Sequence, residues 1–417
     1  MVRTSSLEGN QSATLVFRPL LVLLFLLLSV AVIAAPASVQ AQTSSSSSPV
    51  VATVKVGPEP TNLAYDSGKG EVFVSDQQTT NISVISDASN AVVATIVMPG
   101  AHVPGEMAYD PSKGEVFVNT YDANLVVVYS DTNDSAVAQV QVGSAPTGIA
   151  YDPARGEVFV ANAQSNSISV ISDKNDSVVA TIPVATEPTE LAYDSAKGEI
   201  FVADVSNSSV SVISDASDKV VATVHVGQSP DHIVCVPSAG DCYVLTLAPV
   251  DDPGQEGISI VSDSSDSVVG SIVTGTDPDG IALDSSRMLL LVSASTRFQE
   301  DAISVGNTNL AGKISVGGDP AEVVYDSAKG EAFVANYLDA TVSVVNDAAI
   351  ALTGATTTTS THASSTPSSS ATTSSSGSST ALSWSYLVAV AANAAIVLAL
   401  FGRSALKAHR RTGEAPR

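Results

Sequence analysis

One phrase recurs along this 417-residue chain. It reads YDSGKGEVFVSD from Tyr65, YDPSKGEVFVNT from Tyr109, YDPARGEVFVAN from Tyr151, YDSAKGEIFVAD from Tyr193 and YDSAKGEAFVAN from Tyr325. Two divergent copies, CVPSAGDCYVLT from Cys235 and LDSSRMLLLVSA from Leu283, complete the series. Successive starts lie 44, 42, 42, 42, 48 and 42 residues apart. A period of this length with strand-like content is the pattern of propeller blades, each too thin to bury its own faces.

Each period holds four strand candidates. In the third copy they are TGIAYD, EVFVAN, SISVISD and SVVATIPV, rich in Val, Ile, Phe and Tyr and bounded by Asp, Ser, Asn, Gly and Pro. No amphipathic helix pattern stands out between residues 49 and 348. Copies of the fourth strand occur at 50–56, 92–98, 137–142, 178–184, 220–226, 268–274 and 312–316. The first of these precedes the first Tyr-Asp unit, and the last unit has only three strands of its own. The N-terminal strand is therefore expected to complete the final blade and remove an open sheet edge. The expected fold is an all-β, seven-bladed β-propeller over residues 50–348.

The residues FVAN at 159–162 and 333–336, the P-x-x-[LI]-A-Y-D entry and the V-S-V-I-S-D third strand resemble the YVTN-type propeller repeat of microbial surface-layer and periplasmic proteins. The resemblance covers about residues 50–348. It implies the propeller fold but little about activity, because propellers host many unrelated functions. The copies at Cys235 and Leu283 depart from the pattern.

The flanks have a different composition. Residues 1–41 carry Arg3, Arg18, an apolar run at 20–35 and small residues near Ala41, the layout of a secretory signal peptide; a permanent N-terminal anchor is the rival reading. A Ser-rich linker spans 42–49. Residues 349–381 form a Ser/Thr-rich stalk that cannot build a core and reads as O-glycosylated outside a cell. The apolar run 382–402 would span ~31 Å as a helix at ~1.5 Å per residue, enough for one bilayer crossing. Trp384 and Tyr386 suit one headgroup zone, and Arg403, Lys407, Arg410 and Arg411 place the 403–417 tail in the cytoplasm. The expectation is a single-pass type I protein of the cell membrane with an extracellular propeller.

Seven of the 18 Lys+Arg but only Glu8 and Glu414 of the 42 Asp+Glu lie in these flanks. The exposed middle thus holds 11 basic residues against 40 acidic ones. Such a surface repels phosphate backbones, so nucleic acid is excluded as a partner.

Alternate propeller turns fall on opposite faces. The DSAKGE and SDASD turns share one face, and their Asp, Ser, Gly and Asn serve tight hairpins, so Asp194, Lys197 and Gly198 are read as scaffold. The loops of the other face vary, and variable loops on a rigid scaffold are where binding usually sits. The two longest carry Asp251, Asp252 and Glu256, and Arg297 and Phe298 with Glu300 and Asp301, which makes them a candidate ligand face. Two residues after each entry proline stand Asn62, Glu106, Gly148, Glu190, His232, Gly280 and Glu322. Sevenfold geometry brings these to the channel mouth, where Glu106, Glu190, His232 and Glu322 could hold Ca²⁺ or Mg²⁺ as lactonase-type propellers do, or stay apart and hydrated. No nucleophile triad, phosphate-cradling loop or zinc spacing is present.

The only cysteines, Cys235 and Cys242, face each other across a hairpin, and outside the cell a disulfide is expected. Asn81, Asn133, Asn175 and Asn207 open N-glycosylation sequons. The functional expectation is a monomeric, non-enzymatic binding, adhesion or surface-layer module for a cell-surface protein or glycan, needing no cofactor beyond such an ion. The alternative is a metal-dependent, lactonase-like hydrolase working from the channel mouth.

Overall fold

The computed structural model describes residues 48–247, 256–274, 278–294, 299–305 and 308–350, which fall in one compact unit. The expected signal segment and the apolar run 382–402 lie outside them, as does the expected stalk apart from residues 349 and 350, of which Ile350 is buried against the last sheet. Among the described residues no helix is long and apolar enough to cross a membrane.

The fold is an all-β propeller. Its strands make seven four-stranded antiparallel sheets, six of them from consecutive strands. The first comprises Pro60–Asp66, Glu71–Asp76, Asn81–Ser86 and Ala91–Val97, and its successors repeat that order. The remaining sheet joins Pro320–Asp326, Glu331–Asn336 and Thr341–Asn346 to the N-terminal strand Val50–Lys55, with Val54 opposite Val342. Asn346 N donates to Pro49 O at 2.8 Å and Val56 N to Ala340 O at 3.1 Å, extending this closure at both ends.

The phrase GEVFV explains how sheets stack. Second strands are buried on both faces, so they read as continuous apolar runs rather than alternating ones. Phe73 joins a cluster with Met107, Val116, Val118 and Val127 of the next sheet. Its neighbours Val72 and Val74 join Phe333, Ala335 and Val342 of the preceding one. Alternate residues of one strand therefore pack against opposite neighbours. Phe73, Phe117, Phe159, Phe201, Tyr243, Leu291 and Phe333 occupy the equivalent site and are all buried.

The rest of the phrase ties the sheets along the hairpin face. Asp66 Oδ1 accepts from the amides of Gly68 (2.7 Å) and Lys69 (3.1 Å), closing the turn. Asp110, Asp152, Asp194, Asp284 and Asp326 do likewise. Tyr109 of the second sheet donates to Asp131 at 3.2 Å and also meets Asp66 of the first sheet. Tyr151 and Asp110, Tyr193 and Asp152, and Tyr65 and Asp326 repeat that contact. Burial, then the flanking carboxylates, hold these phenols well above their ordinary range. The basic residue reaches forward: Lys69 to the Asp131 carbonyl, Lys197 to that of Asp263, Arg287 to that of Asp347, and Lys329 to Asp87 Oδ1 at 3.0 Å. Gly198 adopts φ +68°, and a Cβ there would lie 2.6 Å from Asp215 Oδ2. Asp194, Lys197 and Gly198 are thus bound into the scaffold.

Deleting residues 49–57 removes the strand paired with Thr341–Asn346, together with buried Val54 and Val56, and uncovers Val342 and Val344, which cluster with them. The truncated protein is expected to melt well below the full propeller in calorimetry; equal melting temperatures would refute the closure.

Asp76 and Asp204 are buried at the second-strand end where other sheets place Asn162 and Asn336. Burial, only partly offset by Ser83 and Ser211, raises both carboxyls to about 6. A carboxyl whose folded pKa is raised adds stability below its unfolded value, and that stability is lost as pH rises through the folded one. Stability is therefore expected to fall between about pH 4 and pH 6. Replacing both with Asn should flatten that slope in denaturant titrations and stabilise the protein at pH 7.

Candidate functional site: a carboxylate–imidazole cluster at the channel mouth

The first strands of the sheets neighbour one another in a closed circle, from Pro60–Asp66 round to Pro320–Asp326 and back. The residues that begin them therefore face a common axis. Glu106 precedes Met107–Asp110, Glu190 lies in Pro188–Asp194, His232 precedes Ile233–Val236, and Glu322 lies in Pro320–Asp326.

Three of the four expected residues converge. Candidate ligand atoms of Glu106, His232 and Glu322 all lie within 4.8 Å of one another. His232 Nε2 sits 3.1 Å from Glu322 Oε2, and Glu322 Oε1 accepts the amide of Val323 at 3.1 Å. Glu190 is outside this set but close enough to act on it electrostatically. The two glycines of the series have a steric reason. A Cβ on Gly148 would stand 2.3 Å from Thr189 O and 2.7 Å from Glu190 Cα. One on Gly280 would stand 2.6 Å from Ala321 O and 2.9 Å from Glu322 Cα. Glycine thus lets the following sheet approach and sets where Glu190 and Glu322 emerge.

Sequence reasoning missed Asp231. Its Oδ2 lies 3.6 Å from His232 Nδ1, on the side of the ring away from Glu322. The signal was available, because Asp231 replaces the threonine found at Thr61, Thr147 and Thr189.

These groups are enclosed by the ring yet water-reachable: the His232 side chain is 19% exposed and that of Asp231 55%. Burial, then Glu190 and Glu322, push the Glu106 carboxyl well above the usual range. Burial, reinforced by Glu322 and opposed by His232, raises Glu190 to about 8. Burial alone would lower the His232 imidazole, but Asp231 and Glu322 outweigh it and raise it well above its ordinary value. Burial would likewise raise Asp231, but His232 overrides it and lowers the carboxyl. Chemically, the cluster is either a self-compensating imidazolium–carboxylate group or a nest of one nitrogen and several oxygens for a divalent cation. The imidazole changes the expected ion. Oxygen-only sets suit Ca²⁺ and Mg²⁺, whereas a nitrogen donor shifts preference toward Mn²⁺ or Zn²⁺.

Of the expected ligand-face residues, Asp251, Asp252, Arg297 and Phe298 lie outside the described residues, and Glu256 is half-buried just before Gly257–Ser262. On the same face Tyr121 and Leu338 are exposed, and His102 Nδ1 pairs with Asp122 Oδ2 at 3.1 Å. A cavity of about 270 Å³ lies elsewhere, at the rim between Ser271–Thr274 and Thr308–Leu310.

No protein-family model matches the chain, and no curated protein matches it. Among solved structures, hydrazine synthase of Kuenenia stuttgartiensis is similar, with a TM-score of 0.62 and 17% identity over 69% of this chain and 96% of that one. At that identity the likeness establishes the propeller fold alone.

The expected cystine is present: Cys235 and Cys242 are directly opposite in register and joined by a disulfide, and both are buried. In the unreduced, denatured protein neither thiol should react with iodoacetamide, and both should react once a reductant is added. Immediate double labelling would refute the bond.

Proposed function

We propose that this chain is a membrane-anchored, extracellular binding module: a seven-bladed, YVTN-type ring whose channel mouth meets its ligand through a divalent cation. The convergence of Glu106, His232 and Glu322 within 4.8 Å is the observation that carries this reading. Glu106, His232 and Glu322 would hold the ion, with Asp231 orienting the imidazole from behind, as outer carboxylates commonly do. The variable loops around the mouth, with exposed Tyr121 and Leu338, supply contacts for a cell-surface protein or glycan. The signal segment, stalk and C-terminal apolar run support the surface location and the single membrane anchor.

The same convergence favours a second reading, a lactonase-like hydrolase that uses the ion to polarise a carbonyl and activate water. Calorimetric titration of the 42–350 fragment with Mn²⁺, Zn²⁺ and Ca²⁺ tests the site. One ion should bind per ring, Glu322→Gln should abolish binding, and Asp231→Asn should weaken it by about 10–100-fold. Absence of binding by all three ions would remove both readings of the site. If an ion binds, turnover of simple lactones by the loaded protein would favour the hydrolase, and its absence the binding module.

A further inference from the structure

Four Asn-x-Ser sequons fall in the ring, one in each of the first four sheets, and residues 230–350 contain none. The structure separates them. Asn81 opens the strand Asn81–Ser86, half-buried and paired with Asp76 and Val97. Asn133, Asn175 and Asn207 are exposed and lie between strands.

At Asn133 the side-chain amide is already oriented. Its Oδ1 accepts both the amide (3.2 Å) and the hydroxyl (2.7 Å) of Ser135, the third residue of its own sequon. These bonds hold the carbonyl oxygen against the turn and leave Nδ2 as the atom available to a reagent. Asn175 occupies the same place in the next sheet's turn. Each is followed by an aspartate in the left-handed region, Asp134 at φ 54° and Asp176 at φ 48°. The Asn175 turn is anchored from the neighbouring sheet, with Lys113 Nζ 3.5 Å from Asp176 Oδ1. At Asn207 Oδ1 accepts the Thr186 amide at 3.3 Å, so there too the oxygen is engaged.

We propose that Asn133, Asn175 and Asn207 carry N-linked glycans and that Asn81 does not. The glycosyl donor is an oligosaccharide on a polyprenyl diphosphate. A bond forms from asparagine Nδ2 to C1 of the first sugar, the C1–O bond to the diphosphate breaks, the lipid diphosphate departs and Nδ2 loses one proton; nothing is oxidised or reduced. At Asn133 and Asn175 the carbohydrate then covers the hairpin face of the second and third sheets, and at Asn207 the opposite end of the fourth. Sheets five to seven, which hold His232 and Glu322 and the two longest loops, stay bare for a partner.

This inference rests on the extracellular reading, and the experiment separates the two. Full-length protein is purified from the membranes of cells that make it, digested and analysed by glycopeptide mass spectrometry. In parallel, intact cells are treated with protease to establish whether the ring is outside. Glycan masses are expected on the peptides containing Asn133, Asn175 and Asn207, with Asn81 unmodified. Ser135→Ala should remove the modification at Asn133 alone, and Ser135→Thr should keep it. Protease-accessible rings with bare asparagines would overturn the glycan assignment while leaving the location intact. Occupied Asn81 with bare Asn133 would overturn it equally. A ring protected from protease, with all four asparagines bare, would overturn both.

Discussion

The ring depends on one small polar assembly: a buried aspartate, the tyrosine of the next sheet and a lysine or arginine reaching across the junction. The aspartate closes its own hairpin through Oδ1, the tyrosine hydroxyl meets it from the neighbouring sheet, and the basic side chain caps a carbonyl or carboxylate further along. Burying a carboxylate is unfavourable unless it is well hydrogen-bonded, so this group is stable only when the sheets sit in one relation. The apolar interior supplies attraction between sheets, but Val and Phe side chains alone would tolerate many offsets. The polar assembly selects one.

Its placement also divides the labour between the faces. Everything the assembly needs lies at the hairpin end of the strands, which is why that end is repeated almost letter for letter. The opposite end is left free to vary. There the first strands must still approach closely at the axis, and glycine at 148 and 280 permits it. The channel-mouth series is therefore only partly open to choice: two positions are fixed by contact with the next sheet, and the others can carry glutamate or histidine.

The fold was legible because the chain states each blade nearly in full, so period, strand number and the orphan first strand could be read from letters alone. The hairpin phrase was legible as scaffold but not as a junction. Turn chemistry explains Asp194 and Gly198 within one sheet, whereas the forward reach of Lys197 to Asp263 spans 66 residues and appears only in three dimensions. At the mouth, equivalence of position predicted that Glu106, Glu190, His232 and Glu322 would share an axis. It could not say that three would converge within 4.8 Å while Glu190 stayed outside the set, because that depends on side-chain direction. Asp231 stands one column away from the positions that sevenfold equivalence brings to the axis, so that equivalence did not point to it.

Sheet five shows what happens when the polar assembly is lost. Cys235, Val236 and Ala239 stand where other sheets have tyrosine, aspartate and a basic residue. Toward sheet four, Asp194 then meets Asp263 without a tyrosine between them, and burial followed by that carboxylate raises it. Toward sheet six, Val236 packs with Leu283 and Met288 in an apolar seam. Neither contact fixes register as tightly as the hydrogen-bonded group. The Cys235–Cys242 bond instead locks the two strands of sheet five to each other, holding the hairpin in shape without help from its neighbours. Sheets five and six are also those with the longest variable loops and, in sheet five, the histidine of the cluster. A covalently braced sheet keeps its hairpin while its neighbour contacts and loops change. In sheet five the departure from the repeat thus coincides with an alternative means of holding the hairpin's shape.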